Sequence, residues 1–275
     1  MPAVQLARLR IQTTRLAESF DDALKFSRGL DSLLELYGNL SFRPGYTASD
    51  RSRLPAYNVP PLVMRQLEIE LGRVCAADPA ISLEIIDQIW QSEILEMRQV
   101  AIYLLSQIPP AHLAEVLTRL RKWCTSGEDA SLIHDLLFKG GRTIRKVQPD
   151  TWLVFTEEWL LLKEPRSIII GLISLEPFLD ETQMEYLPQV FNLLEPLAED
   201  PPPPAMADLE AVLLQIYAIS PMETQSFIRK NLESTPHPQF IRLVRRLIPN
   251  LSPGTQHYLR SYILHQDRDP KNLLA

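Results

Sequence analysis

Apolar residues recur along this chain at the spacing of helix faces, and patterns typical of strands are absent. In the segment that follows Ser92, for example, the apolar positions are Leu95, Val100, Ala101, Leu104, Leu105 and Ile108. This spacing puts the apolar side chains on one face of an α-helix, and that face must be buried against another helix. The pattern therefore predicts an all-α fold.

Prolines mark the edges of these apolar segments. The chain has 23 prolines and only 9 glycines. Proline is tolerated in the first turn of a helix, because the N–H that it lacks would have no partner there, whereas inside a helix it removes a bond and clashes. Asp78-Pro79 has the form of an N-cap followed by a first-turn proline, and Glu164-Pro165 opens a later helix. We expect helices to begin at these positions.

The predicted helices form pairs that repeat along the chain. Pairs begin near residues 92, 128, 164, 204 and 236, at intervals of 36, 36, 40 and 32 residues. A pair of antiparallel helices cannot bury both of its faces alone, so successive pairs stack. We therefore expect an α-solenoid of about five to six HEAT-like helix pairs with a concave face open to a ligand.

Three segments follow from this pattern. Residues 1–60 are predicted to be a helical N-terminal segment, roughly 3–37, and a loop over 41–60 that together cap the first repeat. Residues 61–265 form the solenoid. Residues 266–275 are polar and are expected to fray.

The overall composition is that of a folded protein with a negative charge. Hydrophobic residues make up 45% of the chain, 28 Lys and Arg stand against 34 Asp and Glu, and the net charge is -6. Because the molecule as a whole does not attract polyanions, any nucleic-acid surface must be local. Cys75 and Cys124 lie far apart, which excludes a disulfide framework and favours a reducing cytoplasm. Neither an export signal nor an apolar run of membrane length is present.

Most familiar catalytic motifs are missing. The sequence contains no phosphate-binding loop, no dinucleotide-binding glycine pattern and no G-x-S-x-G elbow. Its five histidines are scattered, and no cysteine stands close enough to complete a zinc site. We expect neither a metal nor a cofactor.

One helix carries a recognisable pattern. Glu96, Arg98, Ala101 and Leu105 stand in the order E-x-R-x-x-A-x-x-x-L. This segment resembles a helix common in the HEAT-like DNA alkylation-repair glycosylases, and the resemblance extends over residues 94–264. In that family a Trp and an Asp about one turn apart, and an Arg about one repeat later at a helix start, lie on the concave face against DNA. The resemblance implies double-stranded DNA as the partner.

The resemblance also implies site residues. Arg166 matches the family's arginine, and Asp135 is the candidate for its aspartate. Ser131 stands four residues before Asp135, so the aromatic partner would have to be Trp123, reaching in from the preceding helix. Base excision therefore depends on an aromatic residue that the local motif does not supply.

Such a glycosylase needs a carboxylate to stabilise a cationic sugar and aromatic faces that attract the charged base. Asp135 would supply the first, and Trp123, Trp152 and Trp159 are candidates for the second. The alternative for each tryptophan is core packing beside Leu and Phe, which is the commoner role of a Trp at helical spacing.

Basic residues form three clusters that are candidates for phosphate binding. The first spans Arg119 to Lys122. The second, Arg142, Arg145 and Lys146, follows Gly140-Gly141 on a predicted inter-helix loop, where backbone N–H groups can also approach a phosphate. The third includes Arg242 and Arg245. Each cluster could equally be a solvated helix face.

Two functions remain open. The first is binding of DNA, intact or damaged, on the concave face. The second is a non-enzymatic scaffold whose groove accepts a peptide or another protein domain. A continuous basic face would favour nucleic acid, and a mixed apolar groove with scattered basic residues would favour the scaffold.

Overall fold

Helices make up most of the described part of the chain. The computed structural model describes residues 5–39, 54–125, 129–181, 184–234 and 237–266, and none of these residues lies in a β-strand. The prediction of an all-α fold is therefore confirmed. The predicted turn at 126–127, the capping residue Gln183, most of the 41–60 loop and the tail after residue 266 lie outside the described residues.

The chain divides into two compact units, 1–148 and 149–275. The helices of the first unit are α1 (Leu6–Ala17), α2 (Ala23–Tyr37), α3 (Pro61–Ala77), α4 (Pro79–Trp90), α5 (Leu95–Gln107), α6 (Leu113–Thr125), α7 (Ala130–Asp135) and α8 (Arg142–Val147). Those of the second are α9 (Pro149–Leu161), α10 (Pro165–Glu181), α11 (Leu187–Glu199), α12 (Met206–Ile219), α13 (Pro221–Ser234), α14 (Pro238–Leu247) and α15 (Pro253–Gln266). The predicted domains 1–60, 61–265 and 266–275 stay a prediction.

Local sequence sets where the helices begin. Proline occupies the first position of α3, α4, α9, α10, α13, α14 and α15. Asp78 caps α4 by accepting a hydrogen bond from the N–H of Ile81 at 3.3 Å, as the Asp-Pro pair predicts. Two prolines depart from the rule, since Pro177 and Pro196 lie inside α10 and α11.

Within each unit, helices two apart in the chain pack side by side. In the first unit α3 packs on α1 and α5, and α2 packs on α4. In the second unit α12 packs on α10 and α14, and α11 packs on α13. The core consists of the apolar stripes that the sequence indicates; Ile85, Ile86 and Ile89 of α4, for example, are fully buried.

The predicted loop at Gly140-Gly141 is wrong. Residues Leu136–Gly140 continue the helix as a π-helical turn, in which the N–H of Gly141 donates to the carbonyl of Leu136 at 3.1 Å, and α8 follows directly. The two glycines do not end the helix, because backbone hydrogen bonds between residues i and i+5 replace the usual bonds between residues i and i+4. Arg142, Arg145 and Lys146 are therefore helical residues.

No single helix in the described ranges is both long enough and apolar enough to cross a membrane. α5 and the following helical stretch Pro110–Cys124 meet that criterion only when taken together, with a bend of 110° between them.

Candidate functional site

The three candidate tryptophans lie in the core. Trp152 is fully buried and donates its indole N–H to the carbonyl of Ser174 at 3.0 Å, which joins α9 to α10. Trp159 is 4% exposed. Trp123 is 3% exposed and stacks on Trp90, with ring centroids 4.2 Å apart. Helix packing thus covers all three rings and leaves almost no surface on which a base could stack, which corrects the expectation that they present their faces to a ligand.

The E-x-R motif has a structural role that the sequence did not reveal. Glu96 is 5% exposed, and its two carboxylate oxygens accept the backbone N–H groups of Tyr57 and Val59 at 3.0 and 3.3 Å. Arg98 lies over the ring of Trp90, 5.2 Å from its centroid, and donates to the carbonyl of Ser92 at 2.6 Å. Glu96 therefore fastens an extended segment, residues 54–59, to the start of α5, and Arg98 covers the ring of Trp90.

Asp135 and Arg166, the candidate catalytic pair, belong to different units. Asp135 ends α7, its side chain is 24% exposed, and its Oδ1 lies 3.0 Å from the Nζ of Lys139. Arg166 is an exposed residue at the start of α10 in the second unit. Each residue is described within its own unit, so their joint role in a site stays a prediction.

Arg145 does not face solvent. It is 4% exposed, and its guanidinium donates to the carbonyls of Leu137 and Phe138 at 2.5 and 2.6 Å. A π-helical turn leaves carbonyls without their usual i to i+4 partners, and the guanidinium supplies donors for them. Arg145 is therefore a structural residue rather than a phosphate ligand. Its neighbours Arg142 and Lys146 are exposed on α8.

The other two basic clusters also give residues to internal ion pairs. Arg119 forms a two-pronged pair with Asp87 of α4, with N–O distances of 2.9 and 2.5 Å. Arg246 pairs with Glu210 of α12 at 2.6 Å. Arg242 and Arg245 are exposed on α14. Because these pairs cancel part of the positive charge, the clusters are not wholly available to phosphates.

An open groove runs between α11 and α13 in the second unit. Its volume is about 630 Å³. Phe191 of α11 and Phe227 of α13 stack along it, with ring centroids 5.0 Å apart. Met222, which is 81% exposed, lies at its edge. A methionine this exposed beside two aromatic rings is a typical feature of adaptable protein-binding surfaces.

The charged residues of this groove are mostly paired. Lys230 of α13 forms an ion pair with Glu195 of α11, which ties the two helices together. Arg229 pairs with Glu233 at 3.8 Å. Glu223, in the first turn of α13, has no ion pair within the described ranges. The groove therefore offers the exposed Met222 and the half-buried Phe191, the polar side chains of Asn192 and Ser226, and one carboxylate, whereas Phe227 is only 8% exposed.

A smaller pocket lies in the first unit, between α2, the 54–59 segment, the end of α4 and the start of α5. Its volume is about 360 Å³. Its lining is chiefly polar and consists of Ser27, Arg28, Asp31, Tyr57, Gln88, Gln91, Ser92, Ile94 and Met97. The Tyr57 hydroxyl donates to Asp31 at 2.9 Å.

Two further features bear on chemistry. Burial raises the pKa of the Cys75 thiol to about 11, so this cysteine stays protonated at neutral pH and is a poor nucleophile. Burial also raises the pKa values of Glu176 on α10 and Asp208 on α12, and the neighbouring charges of Asp208 and Asp180 raise that of Glu176 further. No group of three His, Cys, Asp or Glu side chains in the described part of the chain could hold a metal ion.

Comparison with family models, with curated proteins and with solved structures gave no match to this chain.

Proposed function

We propose that this chain is a non-enzymatic protein-interaction scaffold, an α-solenoid of HEAT-like helix pairs that binds a partner in the groove between α11 and α13. The observation that carries the proposal is the groove itself. It combines stacked aromatic rings, an exposed methionine and charges that are already paired, which is the mixed apolar surface expected of a scaffold.

The packing within each unit supports the solenoid. Helices two apart in the chain lie side by side, as α10, α12 and α14 do. This is the nearest-neighbour arrangement that stacked helix pairs produce. α10 and α11 form one pair, and α12 and α13 form the next. The groove lies between α11 and α13, the second helix of each pair.

The groove suits the apolar face of an amphipathic helix. Its α11 residues Pro188, Phe191, Asn192 and Glu195 lie at positions i, i+3, i+4 and i+7, so they form one stripe about 10 Å long. A stripe of this length accommodates two turns of a partner helix with anchors at i, i+3 or i+4 and i+7. The partner that we propose also carries a Lys or Arg beside those anchors, because Glu223 is the carboxylate without an ion pair in the described part of the groove.

Peptide selection tests this proposal. Helical peptides chosen from a random displayed library would be labelled and titrated by fluorescence anisotropy against the wild type, Met222→Lys and Met184→Lys. Met184 is 57% exposed in the same unit and does not line the groove, so it is the matched control. Met222→Lys is expected to weaken binding by about tenfold or more, with Met184→Lys unchanged.

Glu223→Lys should weaken the same peptides, because it repels their basic residue. If no peptide is selected, or if the selected peptides bind Met222→Lys as tightly as the wild type, the groove is not the binding surface.

A second candidate is DNA binding by the first unit, as the resemblance to the alkylation-repair glycosylases suggests. Its support is that Arg142 and Lys146 are exposed one turn apart on α8. The test is anisotropy of labelled duplex DNA, intact or with an abasic-site analogue, at about 50 and about 200 mM salt. The double variant Arg142→Gln/Lys146→Gln should bind DNA more weakly, and its affinity should depend less steeply on salt concentration. Arg8→Gln, on the exposed face of α1, is the control.

Absence of binding at the lower salt concentration would contradict this second candidate. If the abasic duplex binds more tightly, a base-release assay with Asp135→Asn would test for glycosylase activity.

A further inference from the structure

The polar pocket of the first unit has walls that are held in place from several sides. The N–H of Tyr57 donates to Glu96, and its carbonyl accepts the N–H of Asn39 at 2.7 Å. The carbonyl of Pro55 accepts the N–H of Leu95 at 2.9 Å. Hydrogen bonds hold both the backbone and the hydroxyl of Tyr57, so its ring has a fixed position in the pocket wall. A ligand therefore binds without the entropy cost of ordering this side chain.

Two opposite charges border this pocket without neutralising each other. Arg28 and Asp31 lie three residues apart on α2, and no ion pair joins them or links either to another described residue. One oxygen of Asp31 accepts the Tyr57 hydroxyl. Side chains three residues apart on a helix are about 5–6 Å apart at Cβ, so a small ligand can reach both charges.

Further polar groups point to the same kind of ligand. The side-chain amides of Gln88 and Gln91 line the pocket and make no hydrogen bond to the described residues. They lie at the C-terminal end of α4, where the guanidinium of Arg98 donates to the carbonyl of Ser92 and already meets part of the negative end of the helix dipole. Ile94 and Met97 add an apolar part to the lining.

From this arrangement we propose that the pocket binds a small zwitterion, an α-amino acid or a close analogue. Its ammonium group lies at Asp31, its carboxylate lies at Arg28, and its side chain lies against Ile94 and Met97. The volume of about 360 Å³ falls within the range of ligand sites, at its lower end. This site is independent of the α11–α13 groove.

Ligands with a single charge fit less well. Burial and the hydrogen bond to Asp31 raise the pKa of Tyr57 to about 12, and the charges of Asp31, Glu35 and Glu96 add to this effect. A plain anion beside Tyr57 would meet the negative charges of Asp31, Glu35 and Glu96. A plain cation would leave Arg28 without a partner, whereas a zwitterion satisfies both.

The test uses the full chain and defined probes. Each of the common amino acids, at about 5 mM, would be screened by thermal shift, since a ligand that binds only the native state raises the Tm. Hits would be measured by calorimetry against the wild type, Asp31→Asn and Arg28→Gln. Asn keeps an oxygen that can accept the Tyr57 hydroxyl, so Asp31→Asn removes the charge with little disturbance of the wall.

We expect each of these variants to lose about tenfold or more in affinity, as for one charge-assisted contact. Asp21→Asn and Arg8→Gln, exposed residues of the same unit, should bind like the wild type. Putrescine and acetate carry one kind of charge each and should bind more weakly than the amino acid.

Three outcomes would overturn the proposal: no shift with any amino acid, equal binding by Asp31→Asn, or binding only of Nα-acetyl-lysine methylamide. The last would mean that the pocket recognises a lysine side chain of a protein. None of these outcomes bears on the α11–α13 groove, because the two tests probe different units.

Discussion

The carboxylate of Glu96 accepts the backbone N–H of Tyr57 at 3.0 Å, across 39 residues of sequence. The second oxygen of the same carboxylate accepts the N–H of Val59. One side chain in the first turn of α5 thus holds the extended 54–59 segment and, through it, the ring of Tyr57 that lines the polar pocket.

Replacing Glu96 tests this fastening. Glu96→Ala leaves two N–H groups without their acceptor, and we expect the free energy of unfolding to fall by about 2–4 kcal/mol. Urea denaturation followed by circular dichroism would measure the change. Glu93→Ala, an exposed glutamate three residues earlier, is the control and should change stability by less than about 0.5 kcal/mol. A similar, small effect of both variants would contradict the role given to Glu96.

Arg145 and Arg142 offer a second contrast within one basic cluster. Arg145→Gln removes donors from the carbonyls of Leu137 and Phe138, so we expect a loss of about 2–3 kcal/mol in unfolding free energy. Arg142→Gln should be nearly neutral, because its side chain is exposed. Denaturant unfolding of both variants checks this, and equal stabilities would mean that Arg145 does not support the π-helical turn.

Gly171 lies where a side chain on α10 would press on Leu160 of α9. A Cβ added there would lie 2.5 Å from Cδ2 and 2.8 Å from Cγ of Leu160, so α10 approaches α9 closely at this point. Gly171→Ala is expected to cost about 1–3 kcal/mol despite the better helix propensity of alanine. Gly254→Ala in α15 has open space around its Cβ and should be neutral or slightly stabilising. Thermal unfolding compares the two, and a stable Gly171→Ala would show that Leu160 moves aside readily.

Glu176 should make the stability of the chain depend on pH. Its pKa is raised in the folded chain by burial and then by the charges of Asp208 and Asp180, so ionisation opposes folding at neutral pH. The native state is favoured as the pH falls through the folded pKa, and this contribution is lost as the pH rises through it. Glu176→Gln should therefore raise the Tm by about 1–2 °C at neutral pH, a modest gain because the site is partly solvated.

The advantage of Glu176→Gln should shrink as the pH falls below the folded pKa, and it should disappear below the ordinary pKa of an unfolded-state glutamate, where the wild-type carboxyl is neutral in both states. Glu199→Gln, an exposed residue of the same unit, is the control. A gain in Tm that is the same at both pH values would point to a cause other than ionisation.

The sequence by itself determined the helical class and most of the helix starts, because both depend on local chemistry. Proline lacks the N–H that the first turn does not need, and Asp78 caps α4 from the adjacent position. Apolar spacing placed Ile85, Ile86 and Ile89 in the core for the same reason, since a helix face is defined by neighbours three and four residues apart.

Only the tertiary structure decided the roles of the long polar and aromatic side chains. Arg119 pairs with Asp87, 32 residues away, and Trp123 stacks on Trp90. The sequence alone made Arg119 part of a candidate phosphate-binding cluster and Trp123 a candidate for stacking on a base. Such side chains reach partners on other helices, and which partner lies within reach depends on how the helices pack, which spacing along one helix does not encode.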